Sequence, residues 1–186
     1  MSTKTRIATL GWVALMLGVS AAADDATQVM HAGNLSFNAP KAWKAERPNN
    51  AMRKAQVKVP DPKDGEGAEL VVTAFAGGAG STDANIKRWE GQFTGDDGKA
   101  PKAKVDTTKK GKNTGPVTRV EVAGKYGGMA MPGQPKAEAK ADYRLLGAIV
   151  ETPEATYYLK LTGPDKLVAD QSKAFDALIE SMSVEQ

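Results

Sequence analysis

Tyr143-Arg144-Leu145-Leu146-Gly147-Ala148-Ile149-Val150 leads through Pro153-Glu154 into Tyr157-Tyr158-Leu159-Lys160-Leu161 and then Gly163-Pro164-Asp165. The first run carries Tyr143, Leu145 and Ile149 on one side and Leu146, Ala148 and Val150 on the other. Successive strand residues point to opposite faces, so a strand apolar on both sides is covered on both. In the second run Tyr157, Leu159 and Leu161 alternate, as in a strand. Two strands joined by a short Pro-containing turn pair antiparallel. Gly163-Pro164-Asp165 then opens a helix, and Val168, Phe175, Leu178, Ile179 and Met182 give it one apolar stripe over 165–182.

Upstream, the pattern repeats. Val29 to Phe37 reads as an opening strand or strand pair with a turn at Gly33-Asn34. Ala55, Val57 and Val59 alternate with Gln56 and Lys58, which predicts a half-buried strand. Asp61-Pro62-Lys63-Asp64-Gly65 has turn chemistry. Leu70 to Phe75 is apolar on both faces and belongs centrally in a sheet. The glycine loop Gly77-Gly78-Ala79-Gly80 enters Ser81-Thr82-Asp83, a hydroxyl cap with an acid in the first turn, and Ile86, Trp89 and Phe93 form one helical face. A helix is therefore predicted near 82–93. Val117 to Val122 reads as a strand, and the Gly/Pro/Ala-rich segment 127–140 as a loop. Adjacent strand runs give an α+β fold: an antiparallel sheet sandwiched between helices, with one inserted and one C-terminal helix.

This order resembles the PsbP/Mog1/DcrB-like fold. More locally the chain is similar to a group of exported bacterial proteins of unknown function. The likeness rests on Phe37-Asn38-Ala39-Pro40 with Trp43, and on Asn85-Ile86-Lys87-Arg88-Trp89 with Gln92-Phe93. It rests also on Leu146 to Glu151 with Lys160-Leu161-Thr162-Gly163-Pro164. It covers most of 34–183. The wider fold hosts partner-binding and accessory proteins, among them photosystem subunits and a small-GTPase binder. Their binding residues match no positions here, so the resemblance implies a fold and an accessory role without a site.

The N-terminus carries an address. Lys4 and Arg6 precede an uncharged run from Ile7 to Val19, then Ser20-Ala21-Ala22-Ala23 and Asp24-Asp25. A basic head, a short apolar stretch and an Ala-x-Ala site make a secretory signal peptide over 1–23. The run is shorter than the roughly 20 residues a membrane span needs, so no transmembrane anchor is expected. The mature chain, 24–186, is expected to form a single domain in the periplasm or outside the cell. The 25 basic side chains outnumber the 22 acidic ones, but cleavage removes Lys4 and Arg6, leaving near neutrality. That balance argues against nucleic acid as a partner. There is no Cys, which excludes disulfides, thiol nucleophiles and Cys-ligated zinc. His31 is the sole imidazole. It has no partner for a triad or a His-pair metal site, so neither a metal nor another cofactor is expected.

Six residues form the candidate ligand site. Gly78, Gly80 and Ser81 belong to the glycine loop that enters a helix N-terminus, an arrangement suited to phosphate or carboxylate. The loop lacks the Lys-Ser/Thr pair of a P-loop, and Asp83 opposes an anion. Asn85, Arg88 and Gln92 form a polar stripe, with Arg88 and Gln92 on an exposed or boundary side and Trp89 in the core. Other clusters read as ordinary structure. Asp61, Asp64, Glu66 and Glu69 crowd a turn but miss the calcium-loop spacing. Lys99, Lys102, Lys104, Lys109, Lys110 and Lys112 have no interleaved aromatics and fit a solvated loop or edge strand. Met129 and Met131, even with Met30-His31, make a thin copper site. The leading expectation is a non-enzymatic binding or accessory module of the envelope, acting on an envelope protein or a small anionic ligand. A carboxylate-dependent hydrolase and a metal or small-ligand chaperone are the alternatives.

Overall fold

The computed structural model describes residues 26–108, 111–128 and 138–185. The expected signal peptide, Lys109, Lys110, Met129 and Met131 lie outside the described residues.

The described residues begin with a hairpin, β1 (Thr27–Ala32) and β2 (Leu35–Pro40). Ala32 pairs with Leu35, and Gly33 takes the φ of +65° that such a tight loop asks of its first position. Next come β3 (Lys44–Glu46), β4 (Arg53–Val59) and β5 (Ala68–Ala76). Helix α1 (Thr82–Glu90) follows, capped by Ser81, whose Oγ accepts from the Ala84 amide at 3.2 Å. Strands β6 (Phe93–Thr94), β7 (Lys104–Thr108), β8 (Val117–Tyr126), β9 (Lys140–Glu151) and β10 (Ala155–Pro164) precede α2 (Asp165–Asp170), α3 (Ser172–Glu180) and β11 (Ser183–Val184).

The eight-stranded sheet runs β3-β4-β5-β10-β9-β8-β6, with β7 also on β8, and every named pair in it is antiparallel. The two-faced runs, β5 and β9, flank β10 at its centre. The lysine-rich segment supplies β7, an edge strand whose Lys104 is exposed. A second sheet has the order β1-β2-β11.

The two faces of β9 feed two separate cores. Leu146, Ala148 and Val150 join Phe175, Leu178 and Ile179 of α3, Val168 of α2, and Leu35, Phe37 and Trp43 from the N-terminal region. Leu145 and Ile149 join Trp89 and Phe93 on the other side. The Trp89 ring packs directly on Gly147 of the strand, where an added Cβ would collide with it. Among the described residues the architecture is α+β with antiparallel sheets and three helices. It departs from a plain sandwich because the helices α2 and α3 share their face with the small sheet.

The predicted C-terminal helix is two helices. The chain steps at Gln171, whose side-chain carbonyl accepts the Trp43 indole N–H at 3.1 Å. Ion pairs fasten these helices to the sheet. Arg119 donates to Asp176 of α3 at 2.6 Å and to Ser172 at 2.8 Å. Arg144 donates to Asp165 of α2 at 2.9 Å, and both arginines grip Glu121. Those contacts hold the Glu121 carboxyl below the usual range despite the upward push of burial.

Candidate functional site

The outer face of β5 is only partly taken up by the second core. Val71, Thr73 and Phe75 are half-buried and floor a cavity of about 600 Å³. The sequence reads this strand as apolar on both sides, and it is. Ala68, Leu70 and Val72 reach the main core, and on the opposite face Phe75 packs against the second core, while α1 covers only part of that face and leaves a gap. One wall is α1, with Asn85, Arg88 and Trp89. The other walls are Tyr158 and Lys160 of β10 and the segment Asn50 to Arg53 entering β4.

Three of the six sequence-predicted site residues meet here. Asn85, Arg88 and Gln92 line the cavity, whereas Gly78, Gly80 and Ser81 do not. Gly78 and Gly80 hold φ of +81° and +92°, conformations that glycine takes without a Cβ penalty, so they shape the loop. That loop is pinned from inside. Ala79 donates its amide to Tyr158 Oη at 3.0 Å, and buried Asn85 donates to the carbonyls of Ala79 (3.2 Å) and Ser81 (2.9 Å). Asn85 Oδ1 in turn accepts from Arg88 at 2.7 Å, which fixes an exposed guanidinium at the mouth.

Gln92 departs from expectation. Helical spacing from Arg88 places it on an exposed or boundary side, but it is 3% exposed. The helix stops at Glu90 with Gly91 as its cap, so Gln92 belongs to the turn into β6 and its side chain swings inward. Its carbonyl accepts from Lys160 Nζ at 3.0 Å. Its buried Nε2 has no partner. The amide orientation is dictated by that lysine, since the reverse would set donor against donor.

Lys160 is the residue that sequence reading missed. Cross-strand pairing sets it opposite Val71 on the cavity floor. Burial pushes its ammonium pKa down to about 8; the nearby Arg53 charge pushes the same way and Glu69 opposes. Its Nζ also stands 6.0 Å from the centroid of the Tyr126 ring. Arg53 donates to Glu69 at 3.0 Å and to Gln56 at 3.0 Å, so its guanidinium lies toward the same end of β5. No lining side chain of this cavity, among the described residues, is a carboxylate.

The other clusters are scattered. Asp61 accepts from the Lys63 amide within its turn at 2.9 Å, Glu66 pairs with Lys140, and Glu69 with Arg53. His31 is exposed on β1 while Met30 is buried in the core. Among the described residues no three His, Asp or Glu side chains are placed to hold a metal, and no helix is long and apolar enough to cross a membrane.

Comparison with solved structures bears on the architecture. Cyanobacterial PsbP (CyanoP) from Synechocystis sp. PCC 6803 superposes with a TM-score of 0.52, over 96% of this chain and 99% of that one, at 10% identity. The fold is PsbP-like. At that identity the likeness fixes the architecture and transfers no residue. LpqN of Mycobacterium tuberculosis, a protein involved in cell envelope biogenesis, gives a TM-score of 0.46 over 87% of this chain and 91% of that one, at 11% identity. Protein PA94 of Pseudomonas aeruginosa gives 0.44 over 83% and 94%, at 13% identity. No protein-family model matches the chain, and no curated protein does.

Proposed function

We propose that this is an exported, non-enzymatic binding module of the cell envelope, and that the cavity between α1 and the β4-β5-β10 surface takes a small anionic ligand. The observation that carries the reading is Lys160. A lysine held in a largely buried position against an amide, with Arg53 beside it, is costly unless something uses the charge. An anion entering the cavity would meet Lys160, Arg53 and the Arg88 guanidinium at the mouth, with Glu69 paired to Arg53 as an opposing charge. The carboxylate-free lining supports binding over carboxylate-driven hydrolysis, which needs an acid and a base flanking the substrate. The segment 1–23, read as a signal peptide, supports export, and the PsbP-like fold suits an accessory role.

Thermal unfolding with a panel of small organic and inorganic anions and size-matched cations tests the proposal. Ligands that bind only the native state raise its stability by mass action. Anions are expected to raise the transition temperature of the wild type, and less so that of the Arg88→Ala and Lys160→Met variants. Equal stabilisation by the matched cations, or the same response in both variants, would defeat the reading.

A further inference from the structure

The cavity is polarised along its length, and β5 gives its ruler. Lys160 pairs with Val71, Tyr158 with Thr73, and Thr156 with Phe75. Arg53 pairs with Thr73, but its guanidinium turns to Glu69. The cationic groups Lys160 and Arg53 and the unpartnered amide of Gln92 therefore gather at the Glu69–Val71 end. Phe75 and Tyr158, edge to face at 5.9 Å, occupy the other end under the Ala79 loop. Four residue steps along the strand carry Val71 to Phe75, about 13 Å at a strand's rise. Exposed Met52 also lines the cavity.

Resting on the anion-binding reading above, we propose that the ligand is an amphipathic organic acid. Its single carboxylate is seated by Lys160 and Arg53, and its apolar body lies along Thr73 toward Phe75 and Tyr158. A compact inorganic anion would satisfy the cations but leave the aromatic end wet. An uncharged apolar molecule would fill that end and bring Lys160 no counter-charge beyond the nearby Glu69. Gln92, whose carbonyl accepts from Lys160, carries a buried Nε2 without a partner, a donor that favours an acceptor brought close to Lys160.

Calorimetric titration of the purified protein with octanoate, octanol, acetate and inorganic phosphate decides this. Octanoate is expected to bind one to one, at least tenfold tighter than each of the other three. Lys160→Met should abolish the margin over octanol, and Phe75→Ala the margin over acetate. Acetate or phosphate binding as tightly as octanoate would overturn the amphipathic ligand and leave the anion site standing. Octanol binding as tightly as octanoate would overturn both. Binding of none of the four overturns the amphipathic ligand, while the wider anion panel still judges the site.

Discussion

Lys160 concentrates the chemistry of the site in one side chain. Its ammonium pKa is about 8 in the folded chain against 10.5 for the free group. Below about pH 8 the native protein carries the full cost of that buried charge. Between there and 10.5 the unfolded chain binds more protons, so stability contributed by this group rises with pH across that window. Met at this position has no charge to bury. Lys160→Met is therefore expected to be more stable than wild type at pH 7, by at most about 3 kcal/mol at about 1.4 kcal/mol per pKa unit. The margin should shrink as pH climbs from 8 toward 10.5, and chemical denaturation at several pH values measures it. A pH-independent margin would mean that the lysine is not desolvated. A bound anion would hold the proton on Lys160, so affinity should fall as pH rises past 8. The groups around it that set this response are Arg53, Glu69, Gln92 and the Tyr126 ring. In the sequence, Lys160 hides between Leu159 and Leu161, where alternation alone reads it as a solvent-facing residue. Only the pairing with β5 and the cover of α1 show which face it shares. Asn85 and Arg88 were legible because helical spacing aligned them, whereas Gln92 lies past the helix end and its inward turn was not.

At the scale of elements, α1 holds the cavity open by standing on Trp89. The ring rests where β9 has no side chain, at Gly147. Gly147→Ala would put a Cβ within 2.3 Å of Trp89 Cζ3 and 2.9 Å of Cε3, atoms of a rigid ring. The helix must move, at a cost of about 1–3 kcal/mol. Trp89→Ala, which empties the same contact, should cost about 3–5 kcal/mol if the ring is core as its 6% exposure indicates. Urea unfolding of both variants checks the pair, and losses below about 0.5 kcal/mol would show that α1 is loosely seated. The longer strands β1, β2, β4, β5, β8, β9 and β10 and the Ser81 cap of α1 were readable because each is written locally, in alternation or in a capping residue, whereas β3, β6 and β11 were not, and helical spacing puts Phe93 of β6 in the helix. The step at Gln171 was not. The apolar stripe from Val168 to Met182 runs through it without interruption, and its partner Trp43 lies far away in the chain.

For the whole molecule, an antiparallel α+β fold was legible from the two-faced runs of β5 and β9. The small sheet of β1, β2 and β11 was not, because it joins the two ends of the described chain. Export belongs to this scale. The protein recovered from the envelope or medium is expected to begin at Asp24 or within a residue or two of it, as N-terminal sequencing would show; cytoplasmic protein that keeps Met1 would remove the envelope role. The central claim is that the cavity under α1 is the ligand site. Amide chemical-shift mapping of the isotope-labelled protein during titration with octanoate tests it most directly. The account predicts saturable shifts clustered at Val71, Thr73, Phe75, Ala79, Gln92 and Lys160. Shifts centred instead on the surface of β1 around His31, or no saturable shifts in the cavity, would contradict it.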